Sequence, residues 1–179
     1  MAKKFNVART YGQALFDQAI QLKATSEVYQ ELLELREVYH QVPDLGEILT
    51  DDRLAVYEKV NIVKDLENSF SDVIAKFIHT IYDYGRMDDM LDIIDEYEHL
   101  FYKQFGIVVA VVTTAVALSL EQRHELEISL AKQFHASKVV LRTKLDPAIM
   151  GGMIVESEHQ IIDQSVRTEL NNIHAELLA

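Results

Sequence analysis

Cysteine is absent from the 179 residues, which removes disulfides, thiolate metal sites and thiol nucleophiles and fits a reducing compartment. A long apolar run is missing too. The longest, Ile107 to Leu118, is interrupted by Thr113 and Thr114 and falls well short of the roughly 20 residues a spanning helix needs. The opening MAKKFNVARTYGQALFDQA places charged and polar residues where a signal peptide needs an unbroken apolar core, so export by that route is not expected. Any membrane association is expected to come through a partner. Positive charge is also short, with 17 Lys and Arg against 29 Asp and Glu, for a net charge of −12. Such a chain repels nucleic acid and anionic headgroups and favours basic partners. Up to Phe105 there are 20 acidic and 11 basic residues, and after it 9 and 6, so the first part holds most of the acidity. Glycine is scarce, with six residues, yet two of them stand side by side at Gly151-Gly152.

What is present, 49% hydrophobic and 26% charged residues, is a globular composition with room for one sizeable domain or two small ones. From Phe5 to Phe105 apolar residues recur at helical spacing, as in Ala8, Tyr11, Leu15, Ala19 and Leu22, then Val28, Leu32, Leu35, Tyr39 and Val42. Breakers separate the runs: Pro43 and Gly46, Asp51-Asp52 before Arg53 to Leu66, Ser69 with Asp72 before Val73 to Tyr84, and Gly85 before Met87 to Phe105. The last run puts Met87, Met90, Ile94, Tyr97 and Phe101 on one stripe. The pattern predicts six helices, one of them short over Leu45 to Thr50, in an antiparallel bundle.

After Gly106 the period changes. Ile107-Val-Val-Ala-Val-Val-Thr-Thr is β-branched and continuous, like a buried strand. Ser119 with Gln122 forms a capping box opening a helix through Phe134, and Val139 to Leu145 alternates as a strand. Met150 to Val155 and Gln160 to Ile162 read as two more strands, and Val166, Leu170, Ile173 and Leu177 form a closing helical stripe. The expected architecture is an N-terminal all-α six-helix bundle over 1–105 followed by a small α+β domain over 106–179.

Catalytic patterns are absent. Gly151-Gly152 lacks the third glycine of a dinucleotide fingerprint and the Gly-Lys-Ser/Thr of a P-loop. The reading adopted is a turn at Asp146-Pro147, with the glycines letting the next strand or a facing side chain approach closely. His124-Glu125 lacks the second histidine of a zinc-protease helix, because position 128 is Ile128. His40, His79, His99, His135, His159 and His174 stand singly and receive no chemistry. Asp83 to Asp89 lacks the alternating oxygen ligands of a calcium loop and reads as a helix end at Gly85 followed by an N-cap at Asp88. No serine has a Gly-x-Ser-x-Gly context. The acidic runs Asp88-Asp89 and Asp95-Glu96 read as solvated helix faces, with steering of a basic peptide as the functional alternative.

An acidic helical part, a strand-rich small domain, Asp146-x4-Gly151-Gly152-x-Ile154 and then Asp163-x-Ser165 opening a final helix together resemble the delta subunit family of bacterial F-type ATP synthase. That family is related to the mitochondrial oligomycin-sensitivity-conferring protein. The likeness spans essentially the whole chain: Tyr11, Ala14 and Leu15 match the family's opening helix, and Phe77 with Gly85-Arg86 matches its fifth helix and the following turn. Leu145 through Ser157 is the most specific piece, although Glu156-Ser157 replaces an expected basic residue and glycine. The structural signature comprises Gly151, Gly152, Asp163 and Ser165.

The resemblance implies a non-catalytic stator subunit without cofactor, metal or catalytic residues, held as one copy on the cytoplasmic face of the cell membrane through the complex. It implies that the N-terminal bundle holds the N-terminal helices of alpha subunits of the catalytic head. The C-terminal domain would grip the b subunits of the peripheral stalk. The head-binding surface implied lies on the first and fifth helices, around Tyr11, Ala14, Leu15, Phe77, Ile78 and Ile81, with Asp17 and Asp83 drawing basic flanks of the partner. The bland alternative is that all six are core. Two other classes remain open: a free-standing acidic helical adaptor for a basic amphipathic peptide, and an enzyme built from dispersed carboxylates and histidines.

Overall fold

The computed structural model describes residues 2–50, 56–157 and 160–178. The first elements are α1 (Ala2–Gln21), α2 (Thr25–Gln41), α3 (Leu45–Thr50), α4 (Val56–Glu67), α5 (Asp72–Asp83) and, after a 3-10 turn at Met87–Asp89, α6 (Met90–Phe105). The expected helix start at Asp51-Asp52 and Arg53 lies outside the described residues. Two compact units divide the chain, Met1–Phe101 and Tyr102–Ala179.

In the first unit most of each helical stripe is buried, but Leu22 and Val42, expected on the stripes, lie just past the ends of α1 and α2 and are exposed, and Tyr11 is only half-buried. Leu15, Phe16 and Ala19 of α1, Val28, Leu32, Leu35 and Tyr39 of α2, and Ile74, Ile78 and Ile81 of α5 are buried. So is the whole stripe Met87, Met90, Ile94, Tyr97 and Phe101. Each fully buried Leu or Ile contributes about 1.5–3 kcal/mol. Aromatic pairs lock the helices together. Phe16 meets Tyr97 edge-on at 5.3 Å, and Tyr29 stacks on Phe101 at 4.3 Å. The Tyr97 hydroxyl donates to the Thr25 carbonyl at 3.0 Å and the Tyr39 hydroxyl to the Met87 carbonyl at 3.2 Å. Burial raises the pKa of both phenols. Between α2 and α6, Arg36 pairs with Asp95 at 2.7 Å and Glu98 at 2.9 Å, while the Tyr29 hydroxyl donates to Glu98 at 3.0 Å.

Several punctuation residues behave differently from expectation. Ser69 does not open α5: its hydroxyl donates back to the Asp65 carbonyl at 3.0 Å, and Ser71 precedes the helix with its hydroxyl bonded to Glu31 at 2.7 Å. Local competition for the backbone explains the swap. α5 does stop near Gly85, whose φ of +61° lets the Arg86 N–H return to the Ile81 carbonyl at 2.9 Å. Asp88 is not an N-cap, because it sits inside the 3-10 turn. Asp89 is no part of a solvated face. It is 2% exposed with Arg86 3.5 Å away.

The second unit contains β1 (Ile107–Thr114), α7 (Leu120–Gln133), β2 (Lys138–Leu145), a 3-10 turn at Pro147–Ile149, β3 (Gly152–Ser157), β4 (Ile161–Ser165) and α8 (Val166–Leu178). The capping box forms: Ser119 Oγ accepts the Gln122 N–H at 3.2 Å and Gln122 Oε1 accepts the Ser119 N–H at 2.9 Å. The sheet runs β2-β1-β3-β4. β1 and β2 are parallel, with α7 as the crossover such a pair requires, and the other neighbours are antiparallel. β3 begins two residues later than expected because Met150 is in the left-handed region at φ +67°. β4 likewise extends to Ser165 instead of ending at Ile162.

Pairing fixes two sheet faces, since paired residues share a face and alternate residues oppose. One face carries Ala110, Val112, Val139, Leu141 and Val155, all buried with Leu130 of α7 in a single cluster. The opposite face carries Val109, Val111, Val140 and Ile154, which stay half-buried. The chain is therefore a helical N-terminal part followed by an α+β part.

Candidate partner-binding surfaces

The six residues assigned to a head-binding surface separate when placed in the fold. Leu15 is 2% exposed, and Ile78 and Ile81 are fully buried. These three are core residues of the chain itself, because the inner arcs of α1 and α5 turn inward; their assignment to a partner surface is corrected on that ground. Phe77 lies at the margin, 9% exposed. Tyr11 is half-buried and Ala14 is exposed. Tyr11 meets Tyr84 with ring centroids 6.1 Å apart and planes tilted by 50°. That contact sets α1 beside the residue that follows α5, and Tyr84 itself is well exposed. Acid flanks the area. Asp17 is exposed and accepts from Gln13 at 2.9 Å, and Asp83 lies 3.5 Å from His79, which also meets Glu67 at 3.0 Å.

The signature of the second unit is a local device. Gly152 has φ +72°, and a β-carbon built on it would strike the Gln164 carbonyl oxygen of β4. One on Gly151 would stand 3.1 Å from Val166 Cγ2. Asp163 accepts the Ser165 N–H at 2.8 Å and the Thr168 hydroxyl at 2.8 Å. Ser165 Oγ accepts the Thr168 N–H at 3.2 Å, an N-cap for α8. The Ser165 N–H, followed by the two hydroxyls, holds the Asp163 carboxyl below the usual carboxylate range. Asp163 and Ser165 thus tie the start of α8 to the end of β4, and the two glycines let β3 pass close to β4 and Val166.

α8 then shows what periodicity alone did not reveal. Val166, Leu170, Ile173 and Leu177 are all exposed, so the stripe faces outward and is not a core face. The spacing was readable in the sequence, but what covers it was not. The half-buried sheet face opposite α7 is a second apolar surface in this unit. Among the described residues no group of His, Asp and Glu is arranged to hold a metal ion, and no helix is long and apolar enough to cross a membrane.

Comparison with known proteins matches residues 7–177 to the family described as ATP synthase delta (OSCP) subunit. The ATP synthase subunit delta of Enterococcus faecalis is 43% identical over 175 residues, covering 98% of this chain and 97% of that protein. The Enterococcus hirae counterpart is 41% identical over 174 residues, with 97% of each covered. In fold, the chain is similar to a chain of the Toxoplasma gondii mitochondrial ATP synthase hexamer, with a TM-score of 0.71 at 18% identity, covering 96% of this chain and 97% of that one.

Proposed function

The chain belongs to the ATP synthase delta (OSCP) subunit family, and we propose that within its ATP synthase it joins the alpha subunits of the catalytic head to the b subunits of the peripheral stalk. It is a non-catalytic stator subunit. Torque from the rotating shaft acts on the head, so a stator has to bind tightly at two places and needs no reactive site. The reading assigns the head to the helical unit, acting as a six-helix bundle, and the stalk to the α+β unit. One copy serves per complex, on the cytoplasmic face of the membrane.

The observation that carries the reading is the outward stripe of α8, Val166, Leu170, Ile173 and Leu177. Exposed apolar residues at helical spacing on a terminal helix suit a helix partner. On the helical unit, Ala14 and Tyr11 with marginal Phe77 carry the proposed alpha contact, and Asp17 and Asp83 complement basic residues flanking it. Affinity purification of the tagged chain from membranes of its own organism tests the proposal. Alpha and b subunits should be recovered together, and recovery of the chain without them contradicts it in favour of a free-standing adaptor.

A further inference from the structure

The open sheet face is electrically polarised. Lys138, Arg142 and Lys144 alternate along β2, an edge strand, so all three side chains fall on the face opposite α7. All are exposed. They are three of the six Lys and Arg residues that follow Phe105, and within the described residues no ion pair engages them. In a chain of net charge −12, a cationic row beside half-buried Val109, Val111 and Val140 runs against the overall field. Across the same face, β3 and β4 contribute exposed Glu156 and Asp163. The face thus grades from a basic edge through an apolar middle to an acidic side.

The geometry points to an orientation-selective docking face for one amphipathic helix, whose apolar seam covers Val109, Val111, Val140 and Ile154 and whose acidic row lies along Lys138, Arg142 and Lys144. The inference rests on the reading that the α+β unit takes the stalk, and it adds that the stalk helix docks in one sense only and that it presents acid to the basic edge. Apolar burial supplies adhesion without direction, since a smooth apolar face accepts a helix in either sense. Charge supplies the direction: a reversed helix would set its acidic row against Glu156 and Asp163 and leave Lys138, Arg142 and Lys144 without an acidic partner.

The test titrates the full chain with the soluble part of the b subunit from the same organism, at low and at high salt. The variant Lys138→Glu/Arg142→Glu/Lys144→Glu should bind about tenfold more weakly at low salt and lose most of the salt dependence of the parent. The charge-preserving Lys138→Arg/Lys144→Arg variant should bind like the parent, and thermal unfolding should be unchanged in both because the three side chains are exposed. Parental affinity and salt dependence in the triple variant would overturn the inference while leaving the stalk assignment standing. No binding of b by the parent itself overturns the stalk assignment and this inference together.

Discussion

Gly152 is under two constraints at once: a left-handed φ of +72° and a neighbouring carbonyl, Gln164 O, occupying the space a β-carbon would need. Gly152→Ala should therefore lower the stability of the α+β unit by about 1–3 kcal/mol. Affinity for b should weaken with it, while alpha-peptide binding survives. Urea denaturation with binding measured on the same samples checks this, and an unchanged midpoint contradicts it. That two adjacent glycines signal close approach was legible in the sequence. What each one meets was not: Gly152 abuts a strand whose register extends to Ser165, and Gly151 faces Val166. Both partners lie more than ten residues away, beyond the reach of local spacing.

Among the elements, α6 and α8 carry equally regular apolar stripes with opposite fates. Met90, Ile94, Tyr97 and Phe101 are buried, whereas Leu170, Ile173 and Leu177 are exposed. Periodicity defines an apolar face; only the tertiary fold decides whether the chain itself or another molecule covers it. The same distinction divides α1 and α5, where Leu15, Ile78 and Ile81 face the core and Ala14 faces out. Strand ends were less legible than helices, because Met150 adopts a left-handed φ that β-branched spacing does not announce. Ala14→Glu should leave the melting temperature nearly intact and weaken an alpha N-terminal peptide by about tenfold. Ile78→Glu buries a charge at a fully enclosed position and should unfold the helical unit. Calorimetric titration and thermal melts separate the two effects. A folded Ala14→Glu chain that binds as tightly as the parent removes Ala14 from the head surface.

For the whole molecule, two separate units and a strong acidic bias suit a link between other proteins. The excess acid before Phe105 is 9 charges, from 20 acidic and 11 basic residues, against 3 after it, from 9 and 6. The acidic part favours basic partner segments and the cationic row of β2 favours acid, so on the proposed assignment the two parts of the chain would select chemically different partners. The central claim is that one chain holds head and stalk at the same time. Its most direct test mixes the purified head, the soluble part of b and this chain, and weighs the products by sedimentation. The account predicts a ternary complex with one copy of the chain that does not form when the chain is omitted. Head and b each binding the chain but never together, or head and b associating equally well without it, would contradict the account.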